Sequence, residues 1–187
     1  MRTIVTALLS LLLLLAAAPA FAAPEPFFKG AWGITPDEVT ALYNVAPVQH
    51  ESSEGFFNGA YILEFPAANM GQSFSELFYC FNKESRNLEN VYLGLDLSGL
   101  TPEAFAAWIK NAYNVVSGNG PDGRGCLVEM PSKHVMLYTG LWLDSASYTE
   151  ITTSYTNTLE GVIYHVHFVF SNNNDAAYQE NLEAFCN

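Results

Sequence analysis

The chain has 187 residues, half of them hydrophobic and only 14% charged, so it carries enough apolar surface for a packed core and is not a disordered segment. Nineteen acidic against seven basic residues give a net charge of −12, which disfavours nucleic acid and anionic lipid as partners.

The first 22 residues read as a secretory signal peptide. Arg2 supplies the positive start, residues 4–18 are largely apolar, and Ala20-Phe21-Ala22 fits the small-x-small rule for cleavage. That apolar stretch falls short of the roughly 20 residues a spanning helix needs. No Cys follows it to carry a lipid, and no Asn-x-Ser/Thr sequon occurs. The expectation is an exported protein, most simply of a bacterial periplasm, with no stable membrane insertion after cleavage and one α+β domain over residues 23–187.

Thr35-Pro36-Asp37-Glu38 predicts a helix start: a capping hydroxyl, a proline suited to the first helical position, and two acids at the positive helix end. Val39, Leu42 and Tyr43 form a short apolar stripe before Pro47. Strands are predicted at 48–52, 56–65, 74–82 and 88–97, rich in β-branched and aromatic residues and joined by short links, hence an antiparallel meander.

Thr101-Pro102-Glu103 repeats the helix start. Phe105, Trp108, Ile109, Ala112, Tyr113 and Val116 recur at spacings of three and four, which predicts an amphipathic helix ended by the glycine-rich stretch 117–125. That stretch follows a helix and precedes a strand, the reverse of a phosphate-binding loop, and Asn119 and Asp122 are too few for a calcium site. Further strands are predicted at 127–130, 134–143, 147–156 and 162–170. A final helix, capped by Asn174 or Asp175, runs to 184 with Leu182 and Phe185 among its apolar positions.

The expected fold is α+β, with one or two antiparallel sheets and helices packed on one face. Helix-then-strands occurs twice. The two Thr-Pro-acid starts lie 66 residues apart, and Tyr-Asn-Val recurs at 43–45 and 113–115. Two half-repeats, about 28–98 and 99–187, would account for this. Chance recurrence of a generic helix start is the alternative.

Of the three cysteines, Cys80 lies in the apolar run Leu77-Phe78-Tyr79-Cys80-Phe81 and reads as a buried thiol. A bridge between Cys126 and Cys186 would tie down the C-terminal helix and is favoured among three pairings and no bridge.

Gly33-Ile34-Thr35-Pro36-Asp37-Glu38-Val39, followed by Leu42 and Pro47, resembles the opening of small exported α/β domains. These are the lipoproteins of outer-membrane β-barrel assembly and the repeats of β-lactamase inhibitory proteins. The resemblance implies helices on one face of an antiparallel sheet and protein partners on the other. Asn44-Val45-Ala46-Pro47 lacks the family glycine, the lipid-bearing cysteine has no counterpart, and no functional residue carries over.

Three groups could carry chemistry or recognition. His165 and His167 flank Val166 and share a strand face. If Thr149, Ile151, Thr153 and Tyr155 face inward with Tyr164, Val166, Phe168 and Phe170, then Glu150, Thr152 and Ser154 join the histidines, with Glu150 opposite His167. The plain reading is a solvated face with a cross-strand ion pair; zinc would need a further ligand, so no metal or cofactor is assigned. In 134–143, Val135, Leu137, Leu141 and Leu143 form one face. His134, Met136, Tyr138 and Trp142 form the other, either a contact surface or a face covered by helices. No serine-hydrolase pattern is present.

The leading expectation is an exported, non-enzymatic protein that binds another protein in the cell envelope through an exposed sheet face. A binder of a small hydrophobic ligand is the second reading. A metal-dependent hydrolase using His165, His167 and Glu150 is the third.

Overall fold

The computed structural model describes residues 28–51, 59–66, 74–118, 123–133, 135–144, 147–172 and 176–186. The proposed signal peptide and His134 lie outside them. In chain order the elements are α1 (Pro36–Leu42), β1 (Val48–Glu51), β2 (Ala60–Glu64), β3 (Phe74–Asn82), β4 (Leu88–Ser98), α2 (Pro102–Ser117), β5 (Arg124–Pro131), β6 (Met136–Leu143), β7 (Tyr148–Thr158), β8 (Gly161–Ser171) and α3 (Ala176–Cys186). The fold is α+β.

All eight strands join one antiparallel sheet of order β1-β2-β3-β4-β8-β7-β6-β5. Each run of four strands is a meander, and the two meanders meet where β4 pairs with β8 along Asn90↔Ser171 to Ser98↔Ile163. No helix among the described residues is long and apolar enough to cross a membrane.

Both helix starts act as expected. The Thr35 hydroxyl accepts from the Glu38 amide at 3.4 Å, and the Glu38 carboxylate accepts from the Thr35 amide at 2.9 Å, closing a capping box. Those bonds from Thr35 hold the Glu38 carboxyl below its ordinary pKa. Thr101 caps α2 by accepting from the Ala104 amide at 3.2 Å. Phe105, Ile109, Ala112 and Val116, at helical spacing, are the buried side chains of α2.

Alternation along the strands separates two sheet faces. Tyr164, Val166, Phe168 and Phe170 of β8 point to the inner face, with Val91 and Leu93 of β4 and Leu77 and Tyr79 of β3. α1 and α2 contribute Val39, Phe105 and Ile109 to the same core. The Phe105 ring stacks on Tyr164 at 3.9 Å and meets Tyr138 edge-on at 5.9 Å. Near α1, Tyr79 donates its hydroxyl proton to the Lys29 carbonyl at 2.7 Å, so Tyr43 is the donor in the 2.6 Å Tyr43–Tyr79 bond.

The C-terminal helix departs from the expected one-sided arrangement. Leu182 of α3 packs with Leu141, Leu143 and Tyr148, and Tyr178 stacks on Tyr148 at 4.3 Å. On β6 these leucines alternate with Tyr138, Gly140 and Trp142, which face α2. α2 and α3 therefore meet opposite faces of one strand. Gly140 lets the Tyr113 ring approach closely, since a Cβ there would lie 3.0 Å from it. The Cys126–Cys186 disulfide fastens α3 to β5. Cys80 is buried beside Ile62 and Ala60, and burial pushes its thiol pKa up to about 12.

Burial raises the pKa of Tyr43, Tyr79, Tyr92, Tyr113, Tyr138, Tyr148 and Tyr164, with Tyr113 reaching about 12. The unfolded chain releases these protons near pH 10, before the native protein does. The resulting stability is therefore present below pH 10 and lost as pH rises toward 12. Absorbance titration of tyrosinate is expected to show these phenols ionising cooperatively with unfolding. A smooth titration of every tyrosine near pH 10 in a still-folded protein would contradict this.

Candidate binding face

The face opposite α1 and α2 is built by the alternate residues of the same strands. One row runs Phe78–Tyr92–Val169–Glu150–Leu141 across β3, β4, β8, β7 and β6. The next runs Glu76–Gly94–His167–Thr152–Thr139. Beyond it, Asp96, His165 and Ser154 align. α3 covers the Leu141 end of the first row. Phe78, Tyr92, Val169, Glu150, Thr152 and both histidines remain half-buried, and Glu76, Asp96 and Ser154 are exposed. On this face a half-buried apolar stripe thus lies between a buried row, Ile62, Cys80, Ser171 and Tyr148, and an open ladder of hydroxyl, imidazole and carboxylate groups.

His165 is held on both sides. Its Nδ1 lies 2.7 Å from Asp96 Oδ1 and its Nε2 lies 2.8 Å from Thr156 Oγ1. With Nδ1–H donated to the carboxylate, Nε2 accepts from the Thr156 hydroxyl. His50 and Glu64 make a second imidazole–carboxylate contact of 2.7 Å, between β1 and β2 on the same face. Where α3 meets the sheet, Thr139, Leu141, Tyr148, Glu150, Asn181, Ala184 and Phe185 line an open cleft of about 330 Å³.

Glu150, His165 and His167 do share this face. Glu150, however, lies opposite Val169, and His167 faces Thr152. Among the described residues no three His, Cys, Asp or Glu side chains come together to hold a metal ion.

Tyr138 and Trp142 do not form an open aromatic face. Tyr138 is 2% exposed against Phe105, and Trp142 is half-buried edge-on to Tyr113. α2 lies over both, because their side of β6 belongs to the main core. The indole Nε1 of Trp142 is buried without a hydrogen-bond partner among the described residues.

The Asp96–His165 pair and the Phe78–Tyr92–Val169 stripe carry no signature in the sequence around any of their residues. The β3–β4 hairpin sets Phe78 beside Tyr92, while the β4–β8 pairing joins Tyr92 to Val169 and Asp96 to His165, 69 residues apart. No local signal reports such a pairing.

No protein-family model, no curated protein and no solved structure matches this chain.

Proposed function

We propose that the chain is an exported, non-enzymatic protein that binds another protein of the cell envelope through the open face. The observation that carries this reading is the half-buried Phe78–Tyr92–Val169 stripe beside a polar ladder. An apolar centre with a polar surround suits a protein contact. The opening motif's resemblance to assembly lipoproteins and β-lactamase inhibitory proteins supports the same reading. We also read the two helix-plus-meander halves as one duplicated unit, with the strand order mirrored about β4 and β8 in support.

The test uses residues 23–187 as bait in the host's envelope extract, beside two variants. Thr152→Arg places a long charged side chain in the middle of the open face; Ala107→Arg places one on the exposed side of α2. Capture of a partner is expected to fall at least about tenfold for Thr152→Arg and to persist for Ala107→Arg. Equal capture by all three proteins, each still folded by circular dichroism, would remove the reading.

The cleft beside α3 supports a second reading, a small apolar ligand seated against Leu141, Tyr148 and Phe185. Native mass spectrometry of protein from its own host tests it: a retained small molecule, lost on Leu141→Asn, is the expected result.

A further inference from the structure

The charges around the open face are one-sided. Glu64, Glu76, Asp96 and Glu150 all point to it by strand alternation. α3, which borders it, adds exposed Glu180 and Glu183. Apart from Arg124, the described lysines and arginines stand elsewhere. Lys29 lies over the Tyr43 ring on the inner side, and Lys83 and Arg86 lie between β3 and β4. Lys110 pairs with Glu129 beside α2, and Lys133 lies between β5 and β6. Arg124 sits at the α3-covered end, 3.6 Å from Glu183. Among the described residues, the carboxylates beside the apolar stripe, Glu64, Glu76, Asp96 and Glu150, pair with no lysine or arginine, whereas Glu183 on α3 pairs with Arg124.

Resting on the binding reading above, we infer that the partner is a cationic protein segment, one that presents lysine or arginine side chains around an apolar centre. The chain already shows how this face accepts a helix. α3 lies on Leu141, Leu143 and Tyr148, and the row under it continues through Glu150 and Val169 to Tyr92 and Phe78. A second segment laid beside α3 continues that contact. Its apolar side meets Val169, Tyr92 and Phe78, and its cations meet Glu76, Glu150 and Asp96. Complementary charge of this kind orients the partner and speeds its approach, and salt weakens it.

The probe is a lysine/leucine peptide patterned as an amphipathic helix, compared with glutamine/leucine and glutamate/leucine peptides of the same pattern. Each is titrated into isotope-labelled residues 23–187 while backbone amide signals are followed. The lysine peptide is expected to move the signals of Tyr92, Thr152, His167 and Val169 but not those of α2. It should bind at least about tenfold more tightly than the glutamine peptide and lose that advantage in about 0.5 M salt. Glu76→Lys with Glu150→Lys should abolish the preference. Glu84→Lys with Glu160→Lys, an equal change of charge on two turns, should leave it within about threefold. Lysine and glutamine peptides binding the open face equally would overturn the inference and leave the binding face standing. Peptides that bind elsewhere, or not at all, would count against both.

Discussion

Phe105→Ala is expected to cost about 3–5 kcal/mol of folding stability. The side chain is fully buried. Its ring stacks on Tyr164 at 3.9 Å and meets Tyr138 edge-on, so it joins α2 to both β8 and β6. Truncation leaves a cavity between helix and sheet that the rigid backbones of both elements cannot close. Phe105→Leu keeps much of the volume and should cost under half as much. Urea unfolding of the two variants measures both values. A loss below about 1 kcal/mol for Phe105→Ala would mean that α2 does not close the core.

Removing the disulfide is the second large change. Cys126→Ala with Cys186→Ala should lower stability by about 2–4 kcal/mol, because the bridge joins positions 60 residues apart and restricts the unfolded chain. The effect should be local as well. Apart from the bridge, α3 is held by a small satellite cluster around Leu182, Tyr178 and Phe185. Amide hydrogen exchange should therefore accelerate first along 176–186 and then in β5, while β4 and β8 stay protected. Uniform loss of protection would show that α3 belongs to the main cooperative unit. Dithiothreitol on the unmutated protein should reproduce the variant. Cys80, with its thiol pKa raised by burial, should react with iodoacetamide only after unfolding.

Both capped helices were legible because each start carries a hydroxyl, a proline and an acid in a fixed local order. Sheet faces were legible where one side alone is apolar. In β7 and β8 the alternation of Ile151 and Thr153, and of Tyr164, Val166 and Phe168, gave the correct inner set. Opposition within that pair was off by two positions. The strands run on to Thr158 and Gly161, leaving Leu159 and Glu160 as the turn, and this pairs Thr152 rather than Glu150 with His167. A shift of two keeps every side chain on its face, so hydrophobic patterning cannot detect it.

β6 shows a different limit. Its two faces are both covered, Tyr138 and Trp142 by α2, Leu141 and Leu143 by α3. A pattern argument assumes one wet face and assigns the less apolar residues to it. For this strand the pattern leaves a contact surface and a helix-covered face as alternatives, and the structure has the helix-covered one. The open face lies instead at the centre of the sheet, where β4 meets β8. Its apolar members Phe78, Tyr92 and Val169 come from three separate strands; the β3–β4 hairpin joins the first two, and only the long-range β4–β8 pairing adds Val169.

The most direct test of the binding face is site-specific photo-crosslinking in the producing cell. A photoreactive amino acid is placed in turn at Thr152 and Val169 on the open face, and at Ala107 and Asn111 on the exposed side of α2. A discrete crosslinked protein band is expected from both open-face positions and none from the two helix positions. A band from α2 alone, or irradiated open-face proteins that remain uncrosslinked, would contradict it.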